Sequence, residues 1–155
     1  MSNVTIRTAT VADAETITAH NLALALEAEQ RRLDPETVRT GVRRVLGDPA
    51  RGVYYVAQQD GKVVGQVLIT CEWSDWRDGW LWWIQSVYVA PDARRRGVYR
   101  ALHQHITAHA QEQRDVRGLR LYVDTENTRA QRVYESLGMD RARYHFYEVD
   151  WTGKR

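Results

Sequence analysis

An apolar, β-branched run ending in Val87, Tyr88 and Val89 stops at Pro91, and three arginines, Arg94, Arg95 and Arg96, then lead into Gly97. Beyond the glycine, Val98, Ala101, Leu102, His105 (or Ile106) and His109 recur with the period of a helix lying on a sheet. The turn therefore stands between the end of a strand and the start of a helix. A helix leaves its first N–H groups without intrahelical acceptors, and its dipole adds partial positive charge there. Strand end, glycine turn and helix N-terminus together make an anion site suited to a phosphate ester. Taken alone, the three arginines are equally a solvated charge run capping a turn, because glycine-turn motifs are short.

The rest of the chain supplies the elements such a turn needs. Residues 4–8 alternate as a half-buried strand. Thr10 can cap a helix starting at Val11, with Asp13 and Glu15 in its first turn. Asp34-Pro35-Glu36 restarts a helix, aspartate as cap and proline at the first helical position, and Gly47-Asp48-Pro49 ends it. Residues 53–58 and 62–71 read as strands joined through Asp60-Gly61, a strong hairpin signal. Residues 80–89 form the next strand, 97–113 a helix, 119–123 a strand, 127–137 a helix stopped by Gly138, and 144–149 the last strand. This order predicts one α/β domain over residues 1–155, a mixed (α+β) central sheet flanked by helices.

A chain of 155 residues is long enough to bury a core, and 43% hydrophobic with 27% charged residues is a globular composition. All but two of the 22 basic residues are arginine, yet 20 acidic residues are interspersed and the formal charge is only +2, so nucleic acid is not an expected partner. No apolar stretch approaches a bilayer span and no signal-peptide pattern opens the chain, which predicts a cytoplasmic protein without membrane partners. The single cysteine, Cys71, excludes an internal disulfide and reads as core. His105 and His109 lie one turn apart, but no third ligand is indicated and no metal site is expected.

Two motifs together carry a resemblance. Arg94-x-x-Gly97-x-Tyr99 resembles the pyrophosphate loop of the GNAT superfamily of acyl-CoA-dependent N-acyltransferases, Arg/Gln-x-x-Gly-x-Gly/Ala. Asn127, Ala130, Tyr134, Gly138 and Met139 resemble the same superfamily's Asn-x-x-Ala-x-x-x-Tyr-x-x-x-Gly-Phe/Met signature, in the same order along the chain. Tyr99 departs from the pattern: either the cofactor tolerates a large side chain there or the ring points away.

The resemblance implies acetyl-CoA as acyl donor and a small-molecule primary amine as acceptor, joined by direct attack in a ternary complex. It implies that main-chain groups of Val87, Tyr88 and Val89 pair with the pantetheine arm. The pyrophosphate would then meet the segment of Arg94, Arg95, Arg96, Gly97, Val98, Tyr99 and Arg100. Asn127 and Ala130 would contact the cofactor arm, and Tyr134 would protonate the departing thiolate. The chemistry is consistent, since a phenol of pKa about 10 can protonate a thiolate whose own pKa is roughly 8.5. The rivals are a CoA-binding interaction domain without catalysis, a protein or peptide N-acetyltransferase and, behind both, an arginine-rich nucleic-acid binder.

Attack on a thioester needs a neutral amine, so something must take a proton. Many relatives keep a glutamate near the start of the strand before the loop; here Trp83 stands at that place. Glu72, at the end of an apolar strand, is the first choice for the base, with Asp75, Asp78 and Glu27 behind it. Five of the six tryptophans, Trp73, Trp76, Trp80, Trp82 and Trp83, are interleaved with Glu72, Asp75 and Asp78. Glu27, Glu72, Trp73, Asp75 and Trp76 would then form an acidic, aromatic mouth for a cationic amine or polyamine. The same tryptophans would equally pack a core or a homodimer interface.

Overall fold

The computed structural model describes residues 3–152, and the chain divides after Leu121 into two compact units. The first unit contains β1 (Thr5–Thr8), a 3-10 turn (Val11–Asp13), α1 (Ala14–Glu29), α2 (Pro35–Gly47), β2 (Val53–Gln59), β3 (Lys62–Ser74), β4 (Gly79–Val89), a second 3-10 turn (Pro91–Ala93), α3 (Val98–Glu112) and β5 (Val116–Arg120). The five strands form one sheet in the order β1-β2-β3-β4-β5, antiparallel except for the parallel β4/β5 pair. This is the expected α/β architecture with a mixed sheet.

Both faces of the sheet are covered, which is why β2 reads as a continuous apolar run rather than an alternating one. Tyr55 and Ala57 of β2, Val67 and Ile69 of β3 and Ile84 of β4 pack under Val98, Leu102 and Ile106 of α3. On the opposite face Tyr54, Val56 and Leu68 meet Ala14 and Ile17 of α1 and Val42 of α2. Ile106, not His105, continues the buried stripe of α3, while His105 and His109 lie against the Tyr55 ring at 5.6 and 6.4 Å between centroids. Asp60 and Gly61 turn the β2/β3 hairpin with positive φ of 49° and 75°, as the two central residues of a type I′ turn require.

The second unit contains α4 (Thr128–Ser136). Asn127 caps it, its side-chain oxygen accepting from the Ala130 N–H at 3.1 Å. At the other end Gly138, with φ 87°, donates to the Glu135 carbonyl, and the Met139 N–H reaches back to the Tyr134 carbonyl. That double bond is the Schellman stop which a glycine at C′ permits.

Several elements differ from expectation, and β3 runs on to Ser74 rather than ending at 71. Val11 opens a 3-10 turn, and the α-helix starts only at Ala14. β5 lies at Val116–Arg120 rather than 119–123, because a strand is placed by its partner, and the parallel register sets Val116 against Trp80 and Arg120 against Trp83. Residues 144–149 form no strand: among the described residues no ladder pairs them, and Tyr144, Phe146, Tyr147 and Val149 are exposed. Alternation marks a segment able to be a strand, but only backbone partners make it one.

Asp13 ties the first turn to the sheet. Its carboxylate takes both Arg7 guanidinium nitrogens at 2.8 and 2.9 Å and the Thr10 N–H at 2.8 Å. The hydrogen bonds from Arg7, and then that from Thr10, hold the acid below the usual carboxylate range against the opposing effect of burial. A depressed folded pKa contributes stability that is complete above the unfolded value of about 3.9 and is lost as pH falls through the folded value. Asp13→Ala should therefore lower unfolding free energy by about 1–3 kcal/mol at pH 7. In urea melts at several pH values, that difference should shrink toward zero in strong acid.

Candidate active site

β4 is paired on one side along its whole length by β3, whereas its ladder with β5 ends at Trp83/Arg120. Beyond Trp83, no ladder among the described residues pairs the side of β4 turned toward β5, so that side runs as an edge to Val89, just before the arginine turn. This edge is also bent. Gln66 pairs with Tyr88 and Leu68 with Gln85, so Ser86 and Val87 together oppose the single residue Val67. Such a bulge leaves one residue out of the ladder and re-aims main-chain groups. Ser86 adopts φ 50°, the left-handed region that a non-glycine residue enters only when its surroundings hold it there.

The surroundings are a buried polar cluster. The Gln66 side chain, fully buried, donates from Nε2 to the Ser86 carbonyl at 3.2 Å and to Asn21 Oδ1 at 2.8 Å, while its Oε1 lies 3.1 Å from His20 Nδ1. Asn21 Nδ2 donates to the Tyr54 hydroxyl at 3.1 Å, and that phenol also hydrogen-bonds the Ser86 side chain. Burial raises the Tyr54 phenol and lowers the His20 imidazole. His20 and Asn21 are consecutive on α1, so one helix turn, one residue of β3 and one of β2 grip the bulge. Sequence reasoning missed this cluster. A glutamine amid the apolar residues of 63–69 was its only local signal.

The turn after β4 has the form the sequence suggested. Arg95 and Gly97 both have positive φ, 64° and 76°, and Gly97 precedes the first residue of α3. Space above Gly97 is open, with nothing within 4 Å of a Cβ built there. Tyr99 does not fill it: its ring lies 5.9 Å from that of His103, one turn on, with its hydroxyl 3.5 Å from Nδ1. Arg95, Arg96 and Arg100 are exposed. Arg94 is committed elsewhere. Its Nε donates to the Val89 carbonyl at 2.8 Å, its Nη2 pairs with Glu27 at 2.6 Å, and its guanidinium stands over the Tyr88 ring. Tyr88 in turn donates to Glu27 at 3.2 Å. Burial first, and the Glu27 carboxylate second, push that phenol up.

The acidic mouth is not assembled. Glu27 sits at the Tyr88 end of β4 and is neutralised by Arg94, whereas Glu72 pairs with Leu81, roughly 20 Å away along the strand. Glu72 is itself held by Arg120 at 3.0 Å and the Trp83 indole N–H at 3.1 Å. From Leu81 to the bulge at Ser86 is about 16 Å, so Glu72 also lies well away from the open edge. Trp73 points to the opposite face from Glu72, as consecutive strand residues must, and meets Trp80 edge-on at 5.0 Å. Trp76 lies in the β3/β4 hairpin turn, 86% exposed, where Asp75 accepts its N–H. In the second unit, Ala130 and Tyr134 share one face of α4 with the capping residue Asn127, and burial raises the Tyr134 phenol.

The sequence matches the Acetyltransferase (GNAT) family over residues 18–139. A possible acetyltransferase from Clostridium difficile 630 shares 41% identity and a TM-score of 0.89, over 95% of this chain and 97% of that one. At 23% identity and a TM-score of 0.76, a ribosomal-protein-alanine N-acetyltransferase from Brucella melitensis biovar Abortus 2308 shares the fold over 96% of this chain and 99% of its own. An aminoglycoside N-acetyltransferase in complex with CoA does so at 18% identity and a TM-score of 0.78, with 97% of each chain covered. No curated protein matches.

Gln66 is the residue on which the bulge depends most directly. Replacing it with leucine leaves the Ser86 carbonyl, Asn21 Oδ1 and a ring nitrogen of His20 without their partner in a dry setting. Gln66→Leu should cost roughly 2–4 kcal/mol in urea unfolding, far more than an apolar exchange of similar size at Leu68.

Proposed function

The chain belongs to the GNAT acetyltransferase family, and on that premise we propose that it transfers an acetyl group from acetyl-CoA to a primary amine of a small molecule. The observation that carries this is the edge of β4 beyond Trp83, which leads into the Arg95–Gly97 turn and the start of α3. Acetyl-CoA is a substrate with two very different ends, and that edge and turn offer a partner to each. A pantetheine arm carries amides that pair with an exposed strand edge, here Val87, Tyr88 and Val89. A pyrophosphate suits the N–H groups at the start of α3, with Arg95, Arg96 and Arg100 adding charge and open space above Gly97. Arg94 serves the site differently, by bracing Val89 and Tyr88 from Glu27.

Ser86 lies three residues back from Val89, about 10 Å along β4, so a thioester at the inner end of the arm would meet the bulge. Re-aimed main-chain groups there would stabilise a tetrahedral oxyanion. The amine attacks the acetyl carbonyl carbon, the C–S bond breaks, and the sulfur takes a proton. Tyr134 is the proposed donor. Its raised pKa keeps the phenol protonated at neutral pH, as an acid requires. The acceptor is proposed as a primary amine without a preference for polycations, because Glu27 and Glu72 are separated and each is paired with arginine.

Thiol release with acetyl-CoA and a panel of neutral, acidic and cationic primary amines tests the function. Tight CoA binding without release for any amine would instead support a non-catalytic CoA-binding domain. Tyr134→Phe should lower kcat by about ten- to a thousandfold with little change in acetyl-CoA affinity. Gly97→Val should raise the acetyl-CoA Kd about tenfold or more in calorimetric titration, because a β-branched residue resists φ 76°. Wild-type affinity in that variant would remove the turn from the site.

A further inference from the structure

Glu72 lies well away from the edge of β4 beyond Trp83 and Glu27 is paired with Arg94, but α1 carries another base, His20. We infer that His20 is the general base of the reaction, accepting the amine's proton at Nε2, with Gln66 as the positioning residue that imposes this tautomer. It rests on the acetyl transfer proposed for the same strand.

The tautomer follows from a chain of fixed donors and acceptors. The Ser86 carbonyl can only accept, so the Gln66 atom 3.2 Å from it is the amide nitrogen. Its second hydrogen goes to Asn21, which must therefore turn Oδ1 to Gln66 and leave Nδ2 to donate to the Tyr54 hydroxyl. Gln66 therefore turns its oxygen to His20, and an amide oxygen can only accept. The hydrogen between them belongs to His20 Nδ1, 3.1 Å away. In a neutral imidazole the lone pair then lies on Nε2, for which no hydrogen-bond partner is found among the described residues. The glutamine that holds the bulge carbonyl thus also sets the proton on the histidine, so the two are registered through a single side chain.

The groups facing His20 leave it neutral. From β3 comes the Gln66 amide, from β4 the Tyr88 ring at 4.9 Å, and from β2, through Asn21, the Tyr54 phenol. Glu27 and Arg94 stand behind Tyr88 and are paired with each other. Burial holds the imidazole below its ordinary pKa of about 6.5, with the Gln66 bond opposing weakly. At neutral pH the lone pair is present, and it is lost as pH falls through the depressed value.

The proton balance closes. An ammonium acceptor must lose two protons to become an amide. One leaves to solvent before attack and frees the lone pair; as the C–N bond forms, the second passes to His20 Nε2 and from there to solvent. Tyr134 gives its proton to the departing thiolate, which leaves as the thiol, and is reprotonated from solvent, so one proton is released overall. No oxidant, reductant or metal enters.

The test uses the wild-type protein and His20→Ala. Nitrogen NMR of the wild type at neutral pH should show His20 protonated at Nδ1, the minor tautomer of free histidine. His20→Ala should lose about 10²- to 10⁴-fold in kcat, keep its acetyl-CoA Kd, lose the acid limb of the pH–rate profile and be partly rescued by added imidazole. An Nε2–H tautomer overturns the proposal whatever the assay shows. So does a His20→Ala enzyme with unchanged kcat or an unchanged acid limb. Failure of the wild type to transfer acetyl to any amine would instead defeat the acetyl-transfer function, and the base role with it. Transfer by the wild type together with either negative result defeats only His20.

Discussion

The buried carboxamide of Gln66 is the constraint from which the geometry around β4 follows. A fully buried amide must satisfy its donors and acceptor or cost several times what a hydrogen bond contributes. Its three partners belong to α1 and β4, so meeting that demand fixes the rotation of α1 about its axis and the place of the bulge. The strained φ of Ser86 is held because its carbonyl and side chain are both engaged. The apolar contacts of Ile17 and Leu68 nearby would tolerate small shifts of the helix. The amide would not, since a hydrogen bond weakens steeply with distance and angle.

The charges that the sequence offers for recognition are largely consumed in building the frame. Arg94 with Glu27 and Arg120 with Glu72 are intramolecular pairs on partly exposed side chains, worth little in stability. Their effect is geometric. Arg94 ties the last carbonyl of β4 to α1, and Glu72 is tied to the strand that ends the parallel ladder. What remains for a ligand along β4 is main chain rather than side chain. A strand edge and a helix start recognise amides and phosphates by shape and polarity, and both features depend on backbone dihedrals at Arg95 and Gly97 more than on side-chain identity. Tyr99 fits the same view. A bulky residue is tolerated in the turn because its ring lies along α3 beside His103.

In the second unit the local chemistry of α4 is complete at both ends, by the Asn127 cap and the Gly138 stop. That completeness matters because a helix of only 9 residues has little stability from propensity alone. The cap fixes the Asn127 oxygen on the Ala130 N–H and leaves both amide hydrogens to turn outward.

The sequence by itself determined whatever depends on near neighbours along the chain. The Asp34-Pro35 helix start, the Asp60-Gly61 hairpin, the strand–turn–helix around Gly97 and the shared face of Ala130 and Tyr134 all rest on contacts within a few residues. In each case a φ preference, a cap or a period of 3.6 decides the outcome. The family resemblance was legible for the same reason, since its two motifs are local. Tertiary structure alone decided which groups meet across long separations. Glu27 was turned to Arg94 and Glu72 to Arg120, β5 was placed by its register on β4, and residues 144–149 were left without a ladder among the described residues. His20, Gln66 and Ser86 stand far apart in the chain, and nothing periodic links them. Their meeting depends on the packing of α1 on the sheet and on one residue of slippage in a ladder, and pairwise contact of that kind leaves no mark in sequence spacing.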